Sequence, residues 1–460
     1  MTSSENGIHL TDFGQSLDGQ LVTRDDEQFD VRRKVFNGMI DKRPLAIALC
    51  QNKSDISSCL TFARNAGIPV SIRGGGHNIA GSAIVNDGLV IDLSALRGVE
   101  VDPERRIARA QPGARLFDFD AATQQHGLTT PTGIISDTGL AGLTLGGGLG
   151  WLMAKFGLTC DNLVAADAIL PDGTSIRAGT EPGEDDDLLW ALRGGGGNFV
   201  IVTGFEYRLH PLTHVTAGSI QYDLDDTTSA MVELDHLADH ISDEVVLSPT
   251  LITNDSGQRV YNLDLCHCGD AQTAMDELAT IRSIGRPLFD NIDRRPFVDW
   301  QQYLDNPARA GRRSYWKSVN IRRPSAEFLD YIVTEFQNVP SPHTMLTFDH
   351  IHGAATRVAS GATAFGNRHE GYEFLLNTNW DSPDDDDANL AWTASVYDEV
   401  SSRYSSGAVY VNYLGDEGED RVRQAYAGAD IDRLRTLKRR FDPTNMLHTN
   451  QNILPSPMKG

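Results

Sequence analysis

The sequence predicts an α+β protein in which a glycine-rich mixed domain precedes a domain whose antiparallel sheet is backed by helices. Three observations carry this. Between residues 35 and 212, short apolar strands and short helices follow one another densely. From 213 onward the glycine runs vanish, and alternating strand candidates are interleaved with long amphipathic helices. Near residue 408 the pattern changes again, to VYVNYLGDE, a charged helix and FDPTNMLHTNQNILP. The expected division is an N-terminal extension 1–34, a first domain 35–212, a second domain 213–407 and a closing segment 408–460. A chain of 460 residues suits that count, at roughly 100–200 residues per domain.

In the first domain, LAIALC reads as a strand, followed by a helix with Ser54 or Asp55 as candidate cap and Ile56, Cys59, Leu60 and Ala63 as its apolar stripe. IPVSIRGGGHNIAG reads as a strand entering a glycine turn, and GLVIDLS and 107–112 as further strands. ARLFDFDAATQQHG is a helix closed by Gly127. Residues 141–157 form an apolar helix-like run, VAADAILPDGTSIRAG a strand–turn–strand unit, and DLLWALRGGGGNFVIVTGFEYRLHP a helix, glycine run and strand. In the second domain the strand candidates are VVLSPTLIT, VYNLDLCHC, TMLTFDHIHG and YEFLLNTNW. The helices are AQTAMDELATIRSIG and SAEFLDYIVTEFQNV.

The formal net charge is -23, and only 7 of the 40 basic residues are Lys. Such a surface repels nucleic acid and anionic membranes. It fits either an ordinary acidic protein or one adapted to high salt. No run approaches about 18 consecutive apolar residues, so no membrane span is expected. The polar N-terminus does not read as a secretory signal, which points to the cytoplasm. Five sparse cysteines suit a reducing compartment better than a disulfide framework. Cys266-His267-Cys268 is too tightly spaced for a zinc knuckle, and strand alternation splits its side chains between two faces, so no metal is expected.

Three glycine runs stand within one stretch: Arg73-Gly74-Gly75-Gly76-His77-Asn78, Gly146-Gly147-Gly148-Leu149-Gly150 and Arg193-Gly194-Gly195-Gly196-Gly197-Asn198. Glycine lets backbone approach a ligand closely, and successive N–H groups form anion-holding nests. None of the runs matches the dinucleotide or P-loop glycine fingerprints.

These segments, with GLAGLTLGGGLGWLMAKFGLTCDNL and the closing YVNY and NQNI, resemble the berberine-bridge-enzyme-like oxidoreductases of the vanillyl-alcohol-oxidase and p-cresol-methylhydroxylase superfamily. The resemblance covers roughly residues 30–212 and 405–455. It implies a two-part FAD-binding domain of the p-cresol-methylhydroxylase type, with His77 linked to the flavin. Gly74, Gly75, Gly76, Asn78, Gly81 and Ser82 would wrap the pyrophosphate beside Arg73. Gly113, Gly139, Gly142, Gly146, Gly147, Gly148 and Gly150 would line the cofactor's other side. Asp161, Asn162 and Leu163 would sit near the flavin or adenosine, and Gly197, Asn198 and Val202 would complete the pocket. Asn450 and Asn452 would approach the isoalloxazine. Some members attach FAD a second time through a cysteine. Here the corresponding PTGIISDTGLAG has none, so a single covalent bond is expected.

The implied reaction is hydride transfer from an alcohol-type carbon, on a sugar or other small hydroxylated compound, to flavin N5. Oxygen or another carrier is the electron acceptor. A tailoring oxidase or cyclase, or an amine oxidase acting on an alkaloid-like substrate, is the alternative. Tyr413 and Tyr410 are the catalytic candidates. Their spacing of three puts them on opposite faces of a regular strand unless a bulge or loop intervenes. A base role for Tyr413 needs a lowered pKa or concerted transfer, with Asp349 as partner. Asn412, His350 and His352 are the expected substrate contacts. A monomer or homodimer is expected.

Overall fold

A computed structural model describes residues 9–306, 308–426 and 428–457. Four strands form the first sheet: β1 (Gln20–Thr23), β2 (Ala46–Leu49), β3 (Val70–Arg73) and β4 (Leu89–Asp92), in the order β1-β2-β4-β3. β4 pairs in parallel with β2 and β3, whereas β1 joins the edge antiparallel. Residues 20–23, expected in an extension, are therefore built into this sheet. The helix Lys53–Ala66 crosses from β2 to β3, and its cap is Asn52 rather than Ser54 or Asp55: the Asn52 side chain accepts the Asp55 N–H at 3.0 Å. The Asp55 carboxylate is committed elsewhere, to the N–H groups of Asp18, Gly19 and Gln51.

The second sheet is antiparallel, β5 (Val99–Asp102), β6 (Ile107–Ala110), β8 (Leu163–Ile169), β9 (Ser175–Ala178) and β10 (Ile201–Arg208), ordered β5-β6-β10-β8-β9. A ribbon of β7 (Leu128–Thr129) and β11 (His210–Pro211) leads out of it. The apolar run 141–157 is two short helices, Leu140–Leu145 and Met153–Phe156, separated by the glycines 146–150.

The third sheet is wholly antiparallel. It holds β12 (His214–Asp223), β13 (Val245–Thr253), β14 (Arg259–His267), β15 (Phe289–Asp290), β16 (Asp293–Pro296), β17 (Arg313–Ile321), β18 (Met345–Ile351) and β19 (Gly371–Trp380), ordered β15-β12-β14-β13-β18-β19-β17 with β16 also on β12. Helices Thr227–Ala238, Ala271–Arg282, Ala326–Phe336 and Asp386–Arg403 cover one face, where Leu234, Leu278, Phe328 and Val396 meet Leu247, Leu265, Phe348 and Phe374. Strand alternation therefore turns the residues between these apolar ones towards the first domain.

The closing segment returns to the second sheet: Val411, Tyr426, Leu434, Leu437, Phe441 and Ile453 share a core with Phe205 and Tyr207. Lys438, fully buried in the helix Ile431–Phe441, ties it down. Its ammonium donates to the carbonyls of Asn198 (2.7 Å) and Leu447 (2.9 Å) and to the Asp442 carboxylate (2.7 Å). Removing one partner of a buried pair strands the other charge. Lys438→Met is therefore expected to destabilise the protein by about 3–5 kcal/mol, read from urea unfolding midpoints.

Candidate active site

A cavity of about 1180 Å³ lies between the three glycine loops and the uncovered face of the third sheet. Gly74, Gly75, Gly76, His77, Asn78 and Ser82 line it from the first loop, Gly139, Gly142 and Gly146 from the second, and Gly197, Asn198 and Val202 from the third. Tyr410, Asn412, Tyr413 and Asn450 reach it from the closing segment. Gly75 and Gly139 face one another so closely that a Cβ on Gly139 would stand 2.6 Å from the Gly75 nitrogen. Gly139→Ala is accordingly expected to part the two loops and lose most of the bound flavin. The flavin-to-protein absorbance ratio checks this.

The other predicted cofactor residues hold these loops from behind. The Arg73 guanidinium donates to the Arg32 carbonyl and lies 3.8 Å from Asp92. Gly81 packs on Ile40, Gly113 on the Leu93 carbonyl, and Gly150 on the Thr132 carbonyl. Gly147, at φ +124, packs on Phe365. Asp161 accepts two hydrogen bonds from Arg368, at 2.7 and 2.8 Å, in a buried ion pair between the two domains. The Asn162 amide donates to the Phe156 and Leu158 carbonyls, and the Leu163 carbonyl accepts from Arg193. Asp161, Asn162 and Leu163, expected beside the flavin or adenosine, are not among the residues that line the cavity. Nor is Asn452.

His77 stacks on Phe36 with ring centroids 3.9 Å apart. Burial pulls its pKa down to about 4, so the imidazole is neutral at pH 7. Its Nε2 is buried without a hydrogen-bond partner, as is Oδ1 of Asn450. Native proteins rarely leave such atoms unsatisfied. Two orphaned polar atoms on a glycine-lined slot fit a large bound cofactor with polar edges.

The two tyrosines meet because Val411–Tyr413 is a 3₁₀ turn and not a strand. Tyr413 N–H donates to the Tyr410 carbonyl at 3.0 Å, and the rings stand edge to face at 4.9 Å. The Tyr410 hydroxyl oxygen accepts from Gly148 N–H (2.8 Å) and from the Asn412 amide (2.8 Å). Asn412 also donates to the Leu143 carbonyl. Tyr413 donates to Asp349 at 2.7 Å. Burial pushes the Asp349 carboxyl up to about 6, and burial and that carboxylate both push Tyr413 upward. These surroundings do not lower the Tyr413 pKa and favour transfer of its proton to Asp349 in concert.

His350 and His352 do not meet the cavity. β18 alternates, so Thr347 and Asp349 face the first domain while Leu346, Phe348 and His350 face the helices. His350 stacks on His352 (4.5 Å) and Tyr372 (4.9 Å), and the His352 Nε2 bonds to the Val245 carbonyl at 2.8 Å. Sequence reasoning missed the groups around Asp349. Glu373, directly opposite on β19, is fully buried, accepts the Tyr410 N–H at 2.9 Å and is pushed up to about 7 by burial. Gln221, Ser248, Thr250, Asn262, Asp264, Asn377 and Asn379 line the same face, with Trp316 edge-on to Tyr413. Their signal was available in the alternation of LSPTL, YNLDL and LLNTNW.

No helix among the described residues is long and apolar enough to cross a membrane, and no cluster there of three or more His, Cys, Asp or Glu side chains could hold a metal ion. A glycine-lined slot with a histidine whose Nε2 is buried and unpartnered, roofed by a polar sheet, suits an enzyme that binds a large cofactor with polar edges. Comparison with known proteins gives the family. Residues 44–179 match the FAD binding domain model, and 409–454 match that of berberine and berberine-like proteins. The FAD-linked oxidoreductase YgaK of Bacillus subtilis is 31% identical over 450 residues, covering 95% of this chain and 97% of that protein. Superposition on 6-hydroxy-D-nicotine oxidase from Arthrobacter nicotinovorans gives a TM-score of 0.88 at 25% identity, covering 96% and 99% of the two chains. Xylooligosaccharide oxidase from Myceliophthora thermophila shares the fold, at TM-score 0.81 and 22% identity over 96% and 98%. The chain belongs to the berberine-bridge-enzyme-like family of FAD-linked oxidoreductases.

Proposed function

We propose that this enzyme holds FAD through one covalent bond at His77 and oxidises an alcohol-type carbon of a small hydroxylated compound, a sugar being the best fit. The observation that carries the reading is the Tyr413–Asp349 hydrogen bond beside the cavity, the donor–acceptor pair an alcohol proton requires. Bound flavin supplies the acceptor for the hydride of the substrate carbon. Tyr413 takes the hydroxyl proton as its own proton passes to Asp349. Amides and hydroxyls on the sheet, with Trp316 as a flat apolar surface, suit a polyol. Gly74, Gly75, Gly76, Asn78 and Ser82 would hold the pyrophosphate. Gly139, Gly142, Gly146, Gly197, Asn198 and Asn450 would enclose the rest.

A second reading, oxidation of a cyclic amine, is favoured by the whole-length likeness to 6-hydroxy-D-nicotine oxidase. A screen of sugars, amines and aromatic alcohols, coupled to peroxide or to a dye, at low and high salt, tests both. Turnover of amines alone would overturn the alcohol reading. Asp349 receives the proton only when ionised, and burial has raised it to about 6. Substrate oxidation is therefore expected to fall as pH drops through about 6, by roughly tenfold per unit below it. Stopped-flow reduction of the flavin across pH reads this directly, and Asp349→Asn should flatten the profile.

A further inference from the structure

The register of the third sheet places a row of polar residues straight across it. Ser219 on β12 is opposite Asp264 on β14, and Asp264 is opposite Ser248 on β13. β13 and β18 pair through Thr250–Thr347 and Leu251–Leu346, and two residues further along that register Ser248 meets Asp349. Adjacent strands lie about 4.8 Å apart, so these side chains are direct neighbours. The Ser219 hydroxyl donates to Asp264 at 2.5 Å and shares a 2.8 Å hydrogen bond with the Tyr303 hydroxyl. A serine has one proton, already given to Asp264, so Tyr303 donates in that second bond. Tyr303 is 37% exposed, whereas Ser219 is fully buried and Asp264 and Ser248 are nearly so.

We propose that Tyr413, Asp349, Ser248, Asp264, Ser219 and Tyr303 form a proton line along the wall of the cavity, from Tyr413 to the partly exposed Tyr303. The inference rests on the alcohol-oxidation reading. Ser248, Asp264 and Tyr303 line the cavity, so the row offers the proton delivered to Asp349 a path along the wall where a bound substrate displaces water. Beyond Asp349 the row continues to Glu373, which already accepts the Tyr410 N–H, and then to Asn320, whose amide is not a hydroxyl relay. Asn320 is itself committed, donating to the Tyr372 carbonyl and accepting from Ser406. Towards Tyr303 every member bears a hydroxyl or a carboxyl.

Each hop breaks one O–H bond and makes another. Tyr413 receives the substrate proton and passes its own to Asp349. Asp349 protonates the Ser248 oxygen as Ser248 yields its proton to Asp264. Asp264 passes one to Ser219, Ser219 to Tyr303, and Tyr303 to water. One proton enters, one leaves, and rotation of the hydroxyls resets the line. The electron pair of the substrate C–H bond is the hydride already assigned to the flavin. Asp264 and Ser248 act through other groups and are positioning residues.

Anaerobic stopped-flow mixing of the holoenzyme with an alcohol found in the screen, with a pH-indicator dye present, follows flavin reduction and proton release together. The two should coincide in the wild-type protein. In Ser248→Ala and Asp264→Asn, release should lag reduction by about tenfold, and Ser248→Thr should restore coincidence. Release that stays synchronous in Ser248→Ala overturns the proposal. Infrared titration of the buried carboxyls in the resting holoenzyme is the second readout and needs no substrate. Asp264→Asn should move the Asp349 titration; an Asp349 band unchanged in both variants overturns the line. If no alcohol reduces the wild-type flavin, the alcohol reading fails, while the infrared result still decides whether the row is coupled.

Discussion

Tyr413→Phe is expected to give a folded, flavin-loaded protein whose substrate oxidation is slower by about 10²–10⁴-fold. The change deletes one oxygen and leaves the ring, so the edge-to-face packing on Tyr410 and Trp316 persists. What disappears is the hydroxyl that joins Asp349 to the cavity beside Tyr410, a 2.7 Å hydrogen bond. The buried carboxylate then has no route to the substrate hydroxyl, and the pH step near 6 should vanish with it. Single-turnover flavin reduction is the measurement, because steady-state turnover also contains reoxidation. A loss of less than about threefold would remove Tyr413 from the chemistry. Tyr410→Phe should behave differently. Its oxygen accepts from Gly148 and Asn412, so its loss loosens the glycine loop and shows in flavin binding as much as in rate.

The second large effect is expected at His77. The wild-type protein should remain yellow after acid precipitation and show flavin fluorescence in a denaturing gel. His77→Ala should release all of its flavin under the same treatment. The ring stacks on Phe36 and its Nε2 is buried, so its removal also opens a space beside the cofactor. Loss of that fixed position should lower turnover by about 10²-fold even when FAD is supplied in excess. Flavin washing out of the wild-type protein would refute the covalent bond. Flavin staying attached to His77→Ala would mean another residue carries it. Cys160 is a poor substitute: it is buried, does not line the cavity, and burial raises its thiol far above its usual range.

The glycine loops and their order were legible because turn chemistry is local. A run such as RGGGHN states its own backbone needs within six residues. The three-sheet layout was partly legible, since period-two alternation marks VVLSPTLIT or YEFLLNTNW wherever they pair. Facing was harder. Motif order placed Asp161, Asn162 and Leu163 in the correct neighbourhood, but only the fold shows Asp161 turned to Arg368 and the other two turned to backbone and to Arg193. His350 was misread for the same reason: it is adjacent to Asp349 in sequence and therefore on the other face of the strand. Glu373, Ser248 and Asp264 were missed because their meaning lies in register. Each is unremarkable on its own strand, and they become one row only when strands far apart in the sequence are aligned.

The segment that closes the molecule also sets the order in which it can mature. His77 leaves the ribosome well before Tyr410, Tyr413 and Asn450, which complete its cavity. Asn198 is likewise held by Lys438, Gln451 and Ile453, none of which exists while the first domain is being synthesised. A nascent chain thus carries His77 without a finished pocket until those later residues have followed it. Products truncated before Tyr410 are therefore expected to be colourless.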